Sequence, residues 1–203
     1  MYEYMFRLII IGDCSVGKTA FATKLMHDHF CPRYDATIGV DYSAKTLILN
    51  NTTRVKCQLW DTAGQENFAP LIKTYYKDIA GAILMYDISD KRTYNNLKFW
   101  IKELNNNGPT EYPVSKLLIG NKLDRLERTI SYKEAEEFAN RNGFIYTEMS
   151  VKQDYDISNT LKIIAEDIYL HKEENRGVKK NEYNFLLTEK NEGTKNRDCC
   201  CMF

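Results

Sequence analysis

One stretch constrains this chain more than any other. Gly12-Asp-Cys-Ser-Val-Gly17-Lys18-Thr19 fits G-x-x-x-x-G-K-[ST]. It lies between Phe6–Ile11, which reads as a buried strand, and Lys18–Met26, which reads as a helix, and that is the context the pattern requires. The physical reason is concrete. Glycines let the backbone wrap tightly, so that successive N–H groups converge on an anion. The start of the following helix adds its partial positive charge. Gly12, Asp13, Cys14, Ser15, Val16, Gly17, Lys18, Thr19 and Ala20 are therefore candidate phosphate-binding residues. Lys18 suits the β- and γ-phosphates, and the Thr19 hydroxyl suits Mg²⁺.

The rest of the chain alternates short apolar runs with helical periodicity. Tyr42–Leu49 and Arg54–Trp60 are separated only by Asn50-Asn51-Thr52-Thr53, which makes them antiparallel neighbours, because a parallel pair needs a crossover of a dozen or more residues. Ala82–Asp87, Lys116–Gly120 and Phe144–Met149 read as further buried strands. Tyr94, Leu97, Trp100, Ile101 and Leu104 line one face of a helix, and Ile157, Leu161, Ile164, Ala165 and Ile168 line another. Ser131 followed by Glu134 is a capping box that starts a helix carrying Ala135, Phe138 and Ala139. The expected fold is α/β: six strands, mostly parallel with one antiparallel strand, flanked by about five helices in a doubly wound sheet.

Other motifs select the ligand. Asn121-Lys122-Leu-Asp124 follows a buried strand, and a carboxylate there accepts from both N1–H and the N2 amino group of guanine. Adenine lacks that pair of donors and leaves the carboxylate poorly satisfied, which gives strong discrimination. Asp61-Thr-Ala-Gly64-Gln65 follows the strand ending in Trp60. Asp61 can hold Mg²⁺ through water, Gly64 lets a backbone N–H approach the γ-phosphate, and Gln65 can orient the attacking water. Thr37 lies in the loop before the second strand, where its hydroxyl completes the Mg²⁺ shell only while the γ-phosphate is present.

GDCSVGKT, Thr37, WDTAGQE, NKLD and Ser150-Val151-Lys152 together resemble the Ras superfamily of small GTPases over about residues 5–171. Within it the chain is similar to the Rab proteins: Ile38-Gly39-Val40-Asp41-Tyr42 matches their IGVDF run, and Tyr75-Tyr76, Leu84–Asp87 and Asn96–Trp100 follow the same pattern. The resemblance implies a GTP/GDP switch that hydrolyses GTP and regulates vesicle traffic through effectors. Phe30 would pack on the guanine ring, and Ser150, Val151 and Lys152 would close its pocket. Ile38–Tyr42, Trp60 and Tyr75 would form the surface that effectors read. An exchange factor, a GAP and prenyl-escort or GDI-type proteins would be its other partners, with the chain itself a monomer. Four positions depart from the family pattern: Cys14 beside the γ-phosphate, Val151 for Ala, Tyr42 for Phe and Asn67 for Arg.

Composition excludes several classes. With 28 Lys+Arg against 28 Asp+Glu the net charge is zero, which argues against a nucleic-acid binder working through a general basic surface. The apolar runs fall well short of the roughly 20 residues of a membrane span, and no secretory signal opens the chain. Six cysteines in such a chain are expected to be reduced thiols. Three of them stand together in Cys199-Cys200-Cys201-Met202-Phe203, which fits a geranylgeranyl motif and resembles the Rab CCxx ending, with Cys200 and Cys201 both prenylated. Residues 172–198 hold 7 basic and 6 acidic residues, so they supply no polybasic second signal. One lipid chain anchors only marginally, which favours two. The expected organisation is a G domain over residues 1–171 and a disordered tail over 172–203, with Tyr183–Leu187 as a small apolar exception. The expected location is the cytoplasm, lipid-anchored to the cytoplasmic face of a membrane and cycling with the cytosol. Two rivals remain open: a nucleotide-bound scaffold that does not hydrolyse, to which Cys14 gives weight, and a P-loop metabolic kinase, which lacks a segment for its acceptor site. Another signalling role within the Ras superfamily is a third.

Overall fold

A computed structural model describes residues 2–27, 37, 39–64, 72–153, 157–176 and 188–189. Strand β1 (Tyr4–Ile11) runs into the Gly12–Gly17 loop and then helix α1 (Lys18–His27). Strands β2 (Val40–Leu49) and β3 (Thr53–Thr62) form an antiparallel hairpin. Its turn places Asn50 and Asn51 at φ 48° and 60°, a left-handed pair that asparagine tolerates. Then follow β4 (Gly81–Asp87), α2 (Lys91–Asn95), α3 (Leu97–Asn107), β5 (Ser115–Asn121), α4 (Tyr132–Arg141), β6 (Ile145–Glu148) and α5 (Ile157–Arg176). The six expected strands lie in the order β2-β3-β1-β4-β5-β6, all parallel except β2.

Alternation along β1 divides the core into two layers. Phe6, Leu8 and Ile10 pack with Phe21 and Leu25 of α1 and with Leu161, Ile164 and Ile168 of α5. Ile9 and Ile11 pack on the other face with Leu97, Trp100 and Leu104 of α3 and with Ala135 and Ala139 of α4. Every residue of β4 is buried, as a parallel strand covered on both faces requires. Each fully buried Leu or Ile contributes about 1.5–3 kcal/mol relative to exposure. All five expected apolar positions of α5 are buried.

Three details differ from the reading of the sequence. The helix expected to carry Tyr94 through Leu104 is broken at Asn96, whose N–H bonds back to Arg92 and Tyr94 and closes α2 before α3 begins. Ser131 caps α4 by accepting from the Glu134 N–H at 3.2 Å, half of the expected capping box. Helix α5 runs past His171 to Arg176, and a short strand β7 (Thr188–Glu189) pairs antiparallel with Tyr4 and Met5. The extension has a cause: Lys172 is buried, with Nζ 4.0 Å from the centroid of the Tyr4 ring.

Candidate functional site

The carboxyl ends of β1, β3, β5 and β6 bring the motifs to one edge of the sheet, where open α/β folds bind ligands. The Gly12–Gly17 loop closes on itself through Lys18. This ammonium donates to the carbonyl oxygens of Gly12 at 2.8 Å and Asp13 at 2.7 Å. Burial pulls its pKa down to about 8, against the raising pull of Asp61, Cys14 and Asp13. Gly17 sits at φ 105°, and a Cβ there would lie 2.2 Å from Asn121 Nδ2, so this position admits only glycine.

Asn121 explains that closeness. Its Nδ2 donates to Val16 O at 2.7 Å, and its Oδ1 accepts from the Val151 N–H at 3.2 Å. One buried amide thus ties the phosphate loop to both parts of the base site. Ser150 Oγ donates to Asp124 Oδ1 at 2.6 Å and accepts from the Gln153 N–H at 3.1 Å. Asp124 is part-buried, and its second oxygen has no hydrogen-bond partner among the described residues. Lys122 adopts φ 71°, and its Nζ pairs with Asp87 Oδ2 at 2.7 Å. Burial alone would raise the Asp87 pKa, but hydrogen bonds from Lys122 and Ser89 outweigh it and hold the carboxyl below its ordinary range. Lys152 is exposed.

The third cluster is oxygen-rich. Thr19 Oγ1 lies 2.7 Å from Thr37 Oγ1 and donates to Asp61 Oδ2 at 2.5 Å. Asp61 is 2 % exposed, and its Oδ1 is buried with no hydrogen-bond partner among the described residues. Burial pushes its pKa up, more than the Thr19 and Thr37 hydroxyls and the Lys18 charge pull it down. Two hydroxyls and a carboxylate are hard oxygen donors of the kind Mg²⁺ takes, and a divalent cation would give this buried carboxylate a counter-charge and its Oδ1 a partner. The residues present fit the ion.

Beyond these clusters, Gly39 accepts from the Ala63 N–H at 2.9 Å, which joins the start of β2 to the segment after β3. Val40, Asp41 and Tyr42 lie on the same edge strand. Tyr42, Trp60 and Tyr75 form one aromatic row, with ring centroids 4.9 Å and 5.3 Å apart, and Tyr42 is 44 % exposed. Phe30, Ile38, Gln65, Asn67, Cys200, Cys201 and the Tyr183–Leu187 segment lie outside the described residues. Sequence reasoning passed over Asp87, which is part of this site. The signal was available: Asp87 is a carboxylate at the end of a buried strand, as Asp61 is.

A glycine-bearing phosphate loop, a strand-end base site and a hydroxyl–carboxylate cluster on this topology define a P-loop nucleotide-binding G domain. The Ras family model matches residues 7–170. The Ras-related protein RABA5c of Arabidopsis thaliana is 36% identical, over 98% of this chain and 95% of the relative. The Ras-related protein SEC4 of Saccharomyces cerevisiae is 33% identical, over 98% and 93%. The Ras-related protein Rab-13 of Mesocricetus auratus is 35% identical, over 83% and 82%. The chain belongs to the Ras family. It is a Rab-type small GTPase, a switch of vesicle traffic that binds GTP and GDP with Mg²⁺, hydrolyses GTP and engages regulators and effectors. That excludes the metabolic kinase, and nothing favours the scaffold that does not hydrolyse.

Proposed function

We propose a residue-level account of the switch. The backbone of Gly12–Ala20 holds the phosphates, and Lys18 reaches the β- and γ-groups. Thr19 and Thr37, with Asp61 through water, would hold Mg²⁺, which when bound would neutralise phosphate charge. Asp124 accepts from guanine, Asn121 and Lys122 fix the loop around it, Ser150, Val151 and Lys152 close the pocket, and Phe30 packs on the ring. Gln65 orients the attacking water. Thr37 and Gly64 contact the γ-phosphate, and its loss lets both loops relax. Ile38–Tyr42, Trp60 and Tyr75 then no longer present the surface that effectors read.

The observation that most supports this reading is the Thr19–Thr37–Asp61 cluster, which brings three separate motifs to one set of hard oxygen donors. Hydrolysis by the chain alone is slow, on the order of 10⁻⁴ per second as in the related Ras case, and a GAP accelerates it. An exchange factor reloads the switch, and GDI-type and prenyl-escort proteins carry it. No helix among the described residues is long and apolar enough to cross a membrane. The anchor in this reading is a pair of geranylgeranyl groups on Cys200 and Cys201, carried by the chain beyond α5, because one lipid alone binds only marginally. Single-turnover phosphate release tests the account. The Gln65→Leu variant should bind GTP normally and hydrolyse it at least tenfold more slowly. An unchanged rate would contradict the role given to Gln65.

A further inference from the structure

Asp13 is the second residue of the phosphate loop, and its side chain is gripped from a helix more than eighty positions away. Its Oδ1 accepts from Asn96 Nδ2 at 2.6 Å and from Trp100 Nε1 at 2.7 Å. Asn96 caps α3, and Trp100 stands one turn into it, so both donors come from one helix face at i, i+4 spacing. Trp100 is fully buried, 0 % exposed, and its position is set by the core layer it shares with Leu97 and Leu104. Hydrogen bonds onto a carboxylate are charge-assisted, roughly twice as strong as neutral ones.

The same residue is where the other working parts meet. The Asp13 carbonyl accepts from Lys18 Nζ at 2.7 Å. A Cβ on Gly64 would lie 2.5 Å from the carbonyl carbon and oxygen of Asp13 and from the Cys14 nitrogen. The segment after β3 therefore rests directly on the Asp13–Cys14 peptide. Helix α3 holds the Asp13 side chain, Lys18 its carbonyl, and Gly64 its peptide plane. There is also an electrostatic need. A carboxylate within a loop that binds polyphosphate repels its ligand unless donors fix it elsewhere, and Asn96 and Trp100 hold it toward α3.

We propose that Asn96 and Trp100 are positioning residues of the nucleotide site, acting through Asp13 to set the peptide on which Lys18 and Gly64 converge. The inference rests on the reading of Gly12–Thr19 as the phosphate site. Both donors end on the Asp13 carboxylate, and in this proposal their effect passes through it.

The test is a double-mutant cycle on the full chain, read by release of a fluorescent GDP into excess GDP with Mg²⁺ and by single-turnover hydrolysis. Trp100→Phe keeps an aromatic ring in the core and removes the donor together with the five-membered part of the indole, a packing loss that thermal melting reads separately. Asn96→Ala removes the other donor. Each should speed GDP release by about 3- to 10-fold, a part of the worth of one charge-assisted bond. In the Asp13→Ala background, neither should change release further. Should Trp100→Phe fail to fold, the Asn96 arm completes the same cycle. A Trp100→Phe or Asn96→Ala protein that melts lower but releases GDP at the wild-type rate would overturn the proposal. So would an equal acceleration with Asp13 already removed. Wild-type protein that retains no guanine nucleotide would remove the underlying site reading, an outcome distinct from a flat cycle in a protein that binds.

Discussion

The Asn121 side chain and the Val16 carbonyl are joined inside the nucleotide site, Nδ2 donating to the oxygen at 2.7 Å across 105 positions of chain. With the bond from the Val151 N–H, this one amide fixes the phosphate loop relative to the base pocket. The base motif is thus also a structural tie. Asn121→Ala leaves two buried backbone groups unsatisfied, each costing roughly 1–3 kcal/mol. The variant should lose both stability and nucleotide, with GDP release accelerated at least tenfold. A variant of wild-type affinity would show that the tie does not matter to binding.

Asp87 gives the protein a pH dependence. Its carboxyl is held below the ordinary range by Lys122 and Ser89, despite burial. A depressed folded-state pKa means that the ionised form stabilises the fold. The contribution is full above the unfolded carboxylate value near ~4 and is lost as pH falls through the lower, folded value. Asp87→Asn should cost about 1–3 kcal/mol at neutral pH and flatten the stability profile below about pH 4. Urea unfolding at neutral and acid pH measures both. A variant whose profile parallels that of the wild type would exclude Asp87 as the source.

The two cysteines among the described residues should react very differently. Cys14 is exposed in the phosphate loop, while Cys57 lies in the core with its thiol pushed up to about 12 by burial. Alkylation of native protein at mildly basic pH, followed by peptide mapping, should label Cys14 and leave Cys57 unmodified until urea is added. Labelling of Cys57 at a comparable native rate would mean that the β1–β3–α5 core opens readily.

Much of this fold was readable in advance because its core strands are continuous apolar runs with short helical crossovers. Ile83 to Tyr86 is buried on both faces whatever its neighbours, so a strand there needs no tertiary knowledge. The hairpin followed from the four-residue connection alone. The break at Asn96 was not readable, because apolar spacing carries across it and only backbone geometry reveals the cap. The same limit applies to the site. Motif residues such as Lys18, Asp61 and Asp124 declare themselves by pattern. The ties from Asn121 to Val16, Lys122 to Asp87 and Trp100 to Asp13 join distant segments, and their partners are visible only once the sheet has brought them together. Lys172 reads as one more tail charge until its stem is found buried against Tyr4.

The central claim is that Asp124 chooses the purine while the Gly12–Thr19 loop and its oxygen cluster hold the phosphates. Competition binding on the purified full chain with Mg²⁺, paired with chromatography of the nucleotide it releases on denaturation, tests this most directly. The account predicts bound GDP or GTP, displacement of labelled GTP by GDP but not by ATP, and loss of that preference in Asp124→Ala. Release of adenine nucleotides, or equal displacement by ATP and GDP, would contradict it.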